Sequence, residues 1–97
     1  MSKKGRGRRS IANKILEDLK DESVEEDCFL VLYDFSGKIS NYFYRNLNLI
    51  RDTLGDGVSV QKSAIQCKYE RTAKAIQLLC KHYTAEVLVY KVIKKWD

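Results

Sequence analysis

Cys28-Phe29-Leu30-Val31-Leu32-Tyr33-Asp34 is the stretch that decides the fold. Phe29 to Leu32 are apolar at every position, so no residue marks a solvent side. A short run of this kind reads as a central strand covered on both faces, or on one face with a partner subunit on the other. It stops at an acidic residue, Asp34, and Gly37 breaks it.

Toward the C-terminus the period changes. From Ser40 onward, Phe43, Leu47, Ile50 and Leu54 fall at i, i+4, i+7 and i+11, one face of a helix. Gly55-Asp56-Gly57 stops it, because two glycines around an aspartate favour a turn. Val58 and Val60 then alternate with Ser59 and Gln61, and the apolar parity shifts at Ile65 and Cys67. A one-residue parity shift signals a tight hairpin or a bulged strand. Two strand segments within 58–68 are the favoured reading. A second helix is predicted from about Glu70, with Ala73, Ile76, Leu79, Cys80 and Tyr83 inward and Lys74, Gln77 and Lys81 outward. The valine-rich run Glu86 to Ile93 predicts the last strand.

In order this is β-α-β-β-α-β, an α+β ferredoxin-like plan: a four-stranded antiparallel sheet with two helices on one face. The other sheet face is then open. Tyr33, Tyr90 and the apolar first strand imply a cover for it, either a second copy in a homodimer or a docked N-terminal helix.

That helix lies in residues 1–27, which precede the domain predicted over 28–97. Ser10 is placed to cap it, and Ile11, Ile15 and Leu19, with Ala12 and Leu16 beside them, share one face. At about ten residues it is marginal unless docked. The chain has 97 residues, 44% of them hydrophobic, enough for one core.

The net charge of +5 is segregated. Residues 1–10 carry Lys3, Lys4, Arg6, Arg8 and Arg9 and no acid. Residues 11–27 carry Lys14 and Lys20 against Glu17, Asp18, Asp21, Glu22, Glu25, Glu26 and Asp27. The domain beyond is again basic. A flexible cationic arm with Gly5 and Gly7 suits a phosphate backbone, so DNA or RNA is the expected partner. Lys38, Arg45 and Arg51 are candidates to extend that surface. A solvated tail, or an arm neutralised by the acidic connector, would have the same composition.

The remaining chemistry is sparse. Cys28, Cys67 and Cys80 lack paired spacing and read as small buried hydrophobes, which fits a reducing, cytoplasmic compartment. His82 has no ligand partner at metal spacing and reads as a helix-surface residue. Gly37-Lys38 is no phosphate loop, since the upstream glycine and the following hydroxyl are missing. No stretch is long and apolar enough to suggest a membrane span, and the basic N-terminus has no apolar segment behind it to make a signal peptide. The tyrosines and Phe35 are possible base-stacking surfaces, but core or dimer packing is the preferred role for Tyr33 and Tyr90.

Three fragments carry a family resemblance: Phe-Leu-Val-Leu-Tyr-Asp-Phe-Ser at 29–36, Val-Gln-Lys-Ser-Ala-Ile at 60–65, and Val-Leu-Val-Tyr-Lys-Val at 87–92. In order and placement they resemble the CRISPR-associated adaptation protein family Cas-two. The resemblance implies a small ferredoxin-like dimer that binds DNA and, in some members, acts as a metal-dependent nuclease. By the same resemblance, the aspartate that ends the first strand, Asp34, is the metal-binding and catalytic residue. Where the family places paired basic residues shortly afterwards, this chain has Lys38 alone before Ile39 and Ser40. Two copies of Asp34 in a symmetric dimer would then share one Mg²⁺. The residues alone leave open the other role, Asp34 capping the loop or the next helix. A reading from another class is a non-enzymatic interaction module that docks a protein partner through the N-terminal helix.

Overall fold

The computed structural model describes residues 10–22 and 26–93. Seven elements follow in chain order: α1 (Ile11–Asp18), β1 (Glu26–Asp34), α2 (Asn41–Leu54), β2 (Val58–Gln61), β3 (Ala64–Tyr69), α3 (Glu70–His82) and β4 (Glu86–Lys91). The sheet runs in the order β2-β3-β1-β4, every neighbouring pair antiparallel. With α2 and α3 crossing between strands, this is the ferredoxin-like βαββαβ arrangement anticipated above. The predicted parity shift is a hairpin: β2 and β3 meet at Lys62-Ser63, and the ladder is irregular between Ser59 and Gln61.

β1 is central, as its apolar run predicts, but only one of its faces is covered. Phe29, Val31 and Tyr33 are buried beneath the helices with Ile65 and Cys67 of β3. Tyr33 therefore takes the first of its two expected roles, core packing, and does not lie on the open face. Its ring packs on Phe35 at 6.0 Å and Phe43 at 5.4 Å between centroids. The opposite face carries Leu30 and Leu32, half-buried, beside Leu88 and Tyr90 of β4, which are 57% and 49% exposed. Cys28 shares that parity and is half-buried, whereas Cys67 and Cys80 are buried as expected. Burial pushes the Cys67 and Cys80 thiols up to about 12, so both stay protonated and inert.

α1 does not cover the open sheet face. It packs on α2 and α3. Ala12, Ile15 and Leu19 join the same core. The Ser10 hydroxyl accepts from the Asn13 amide at 3.1 Å, the expected cap, and buried Asn46 of α2 accepts from the Ala12 amide at 2.9 Å. An eight-residue helix gains little from propensity alone, so this borrowed cap and the buried face hold it in place.

The Gly55-Asp56-Gly57 turn has a second role. Gly55 (φ 60°) ends α2 in the left-handed region, and Gly57 (φ 102°) lies where an added Cβ would come 3.0 Å from Arg51 Cγ. Between them, Asp56 reaches across to α3, whose own N-cap, Tyr69, supplies no side-chain bond. Its carboxylate accepts from the amides of Gly57 (2.8 Å), Lys68 (2.9 Å) and Tyr69 (3.0 Å). Partial burial pushes this carboxyl up, but those amides more than reverse it, leaving it below the ordinary aspartate value of 3.8. The Thr72 hydroxyl lies close enough to add to the lowering, although it completes no hydrogen bond of ordinary geometry.

Asp56→Ala is expected to cost about 1.5–3 kcal/mol, the range for bonds to a charged acceptor, read from urea melts. Because the folded carboxyl titrates below its unfolded value, its contribution is full above about pH 4 and fades as the pH falls through the lowered value. Asp56→Asn should flatten that part of the stability profile.

Candidate nucleic-acid interface

The antiparallel register brings Asp34, Lys38 and Arg45, but not Arg51, to one end of the domain. β1 ends there on Asp34, directly opposite Glu86, the first residue of β4. Both carboxylates are exposed, and with Leu32, Tyr33, Val87 and Leu88 they line an open hollow. The capping role left open for Asp34 is filled by Ser40, whose hydroxyl accepts from the Tyr42 amide at 3.0 Å at the start of α2. Among the described residues, Asp34 accepts no hydrogen bond from a backbone donor. Like charges directly opposite one another across a ladder destabilise it. No group of three or more metal-ligating side chains occurs among the described residues.

The cationic candidates divide between the two ends. Lys38, in the loop after β1, and Arg45, in the second turn of α2, lie at the Asp34 end and are exposed. The Arg45 guanidinium sits 5.6 Å from the Tyr42 ring centroid. Lys62 in the β2–β3 hairpin and Lys81 in the last turn of α3 are exposed at the same end, although sequence periodicity gave no reason to single them out for binding. Arg51 lies at the other end, half-buried, with its Nε donating to the Gly57 carbonyl at 2.7 Å. It supports the turn after α2 and is not grouped with Lys38 and Arg45.

The two ends also differ in pairing. Far from Asp34, three cations among the described residues meet acids of the connector or its flanks: Lys20 with Glu17 (2.7 Å), Lys74 with Glu22 (2.6 Å) and Lys91 with Asp27 (3.1 Å). The Cys28 amide and then Lys91 hold the Asp27 carboxyl below its usual range, and Glu22 raises Lys74. Exposed pairs of this kind add little stability, but they occupy Glu17, Glu22 and Asp27. At the Asp34 end, Lys38, Arg45, Lys62 and Lys81 have no carboxylate within ion-pair distance among the described residues.

Lys3, Lys4, Arg6, Arg8 and Arg9 lie outside the described residues. Their point of attachment does not. Asn46, which holds the first turn of α1, donates to the Tyr42 carbonyl at 2.7 Å and lies 3.4 Å from the Tyr83 hydroxyl. Tyr42 opens α2 and Tyr83 closes α3, so Ser10 joins the domain toward the Asp34 end. Glu86 was legible in the sequence only as the start of a strand; its position beside Asp34 depends on long-range register.

No helix among the described residues is long and apolar enough to cross a membrane. No protein-family model, curated protein or solved structure matches the chain.

Proposed function

We propose that this chain is a cytoplasmic nucleic-acid-binding protein that works as a homodimer, in the manner of the Cas-two family it resembles. The observation that carries this reading is the contrast in pairing. Among the described residues, the cations at the Asp34 end lack acidic partners, whereas Glu22 and Asp27 of the connector are held by lysines at the opposite end. Connector acids engaged with lysines of the domain and with Lys20 compete less for the basic arm, which favours its use on a polyanion. Dimerisation through the open sheet face would remove Leu88 and Tyr90 from water, burial worth about 25 cal/mol per Å² of apolar surface. α1 directs its apolar side toward α2 and α3, so a protein partner would meet its polar side.

The nuclease part of the reading concerns Asp34. Its carboxylate and that of Glu86 are hard oxygen donors of the kind Mg²⁺ prefers, and their like-charge opposition favours a bound cation. Asp34 from each of two copies would hold the ion. Bound there, Mg²⁺ would supply an acidified water and charge stabilisation for phosphodiester hydrolysis.

Gel retardation and sedimentation of the intact chain test binding and dimer formation. Retention of DNA or RNA that weakens steeply with salt, by a species of two chain masses, is the expected result. Mg²⁺-dependent or Mn²⁺-dependent cleavage should disappear in Asp34→Asn while retention and dimer mass persist. Equal cleavage by the variant would remove Asp34 from the chemistry and leave the binding reading standing.

A further inference from the structure

Beside the start of α2 lies an open cleft of about 330 Å³, lined among others by Tyr44, Val60, Gln61, Lys62 and Ser63. This falls within the range of about 300–1,000 Å³ that small-ligand pockets occupy. Tyr44 follows the core residue Phe43 by one position, so helical geometry turns it off the buried stripe. Its ring stands edge-on to Phe43 at 5.4 Å, and the residue is 42% exposed. The facing wall is the β2–β3 hairpin. There Ser63 adopts a left-handed φ of 66°, and its carbonyl accepts from the Tyr33 amide at 3.0 Å, which fixes the turn to β1. Val60 presents an exposed apolar side chain, Gln61 and Ser63 offer donors and acceptors, and exposed Lys62 brings a cation with no ion-pair partner among the described residues.

An aromatic ring, a few polar groups and one ammonium in a cleft of this size match a nucleobase with its phosphate. Bases in a duplex are already stacked on both faces, so the ring can serve only an unpaired base. We propose that the cleft takes one base of a single-stranded nucleic acid, stacked on Tyr44, with the adjoining phosphate on Lys62. The inference rests on the nucleic-acid reading above and narrows it to single strands.

The test is fluorescence anisotropy with the full chain and three probes of about twelve nucleotides: oligothymidylate, oligouridylate and a duplex. The intact protein should prefer the single strands. Tyr44→Ala should weaken single-strand binding by about 5-fold to 150-fold, the range for one lost base stack, and leave duplex binding unchanged. Because stacking needs no 2′-hydroxyl, the loss is expected for thymidylate and uridylate alike. Tyr44→Phe keeps the ring and should restore wild-type affinity, which a merely structural role for the hydroxyl would not predict. On single strands, the slope of affinity against salt should be unchanged in Tyr44→Ala and shallower by about 0.7 in Lys62→Gln. Unchanged single-strand affinity in a folded Tyr44→Ala protein, or equal wild-type affinity for duplex and single strand, overturns the proposal and leaves nucleic-acid binding intact. Failure of the wild type to bind any probe at low salt overturns both.

Discussion

Removing residues 1–9 is expected to weaken nucleic-acid binding by about 3.5 to 4.5 orders of magnitude near 0.1 M salt, whatever the sequence bound. The deletion takes away Lys3, Lys4, Arg6, Arg8 and Arg9, each able to displace a counterion from a phosphate. Counterion release contributes a logarithmic slope of about 0.7 per contact on single strands and about 0.9 on duplex. Five lost contacts therefore make the slope shallower by about 3.5 to 4.5. Across the decade of salt below about 1 M, where screening removes most of the electrostatic term, that change becomes the stated loss. Titrations at several salt concentrations read both quantities. An unchanged slope would show that the arm does not touch the backbone, and the four exposed cations at the Asp34 end would then have to carry the binding. Ser10 remains in the truncated chain, so the cap on α1 is kept and the fold should survive.

Phe43→Ala is expected to cost about 3–5 kcal/mol, the largest effect of any single substitution considered. Phe43 is fully buried, and four rings surround it: Phe35 at 4.9 Å, Tyr33 and Tyr44 at 5.4 Å, and Tyr83 at 5.8 Å between centroids. These rings come from β1, the loop after it, α2 itself and the end of α3. The substitution therefore removes transfer energy, opens a cavity where four segments meet, and forfeits edge-to-face contacts of about 0.5–1.5 kcal/mol each. Small domains have only about 5–15 kcal/mol in total, so the melting temperature should fall by about 12–40 °C. Urea melts that shift in midpoint without a change in slope would attribute the loss to packing. A loss under about 1 kcal/mol would mean the cluster collapses to fill the gap. The same cluster positions Tyr44 and the start of α2, so a folded Phe43→Ala protein should also lose part of its single-strand preference.

The elements were legible where a local pattern repeats. Phe43, Leu47 and Ile50 are buried along the predicted stripe, and Leu54 is half-buried at its end. Gly55 closes α2 in the left-handed conformation that its lack of a Cβ favours. The face on which Tyr33 lies was not legible. Strand parity identifies a buried side only when apolar and polar residues alternate, and Phe29 to Leu32 do not alternate. Packing of α2 and α3 on Phe29, Val31 and Tyr33 made the choice.

Asn46 and Asp56 show the same limit. Each reads locally as an ordinary polar residue, one on a helix and one in a turn. Asn46 caps a helix 34 residues away and Asp56 the entry to one 12 to 13 residues away. Side-chain composition cannot reveal such a partner, because the distance is closed only when the helices dock.

Asp34 divides along this line. The sequence by itself determined that a strand ends there on a carboxylate, because the unbroken apolar run stops at that residue. Only the tertiary structure decided its surroundings. Antiparallel pairing with β4 sets Glu86 opposite, Ser40 takes the capping role, and the docking of α1 through Asn46 brings the basic arm's attachment to the same end. Register and docking depend on contacts between residues far apart in the chain, and no local period encodes them.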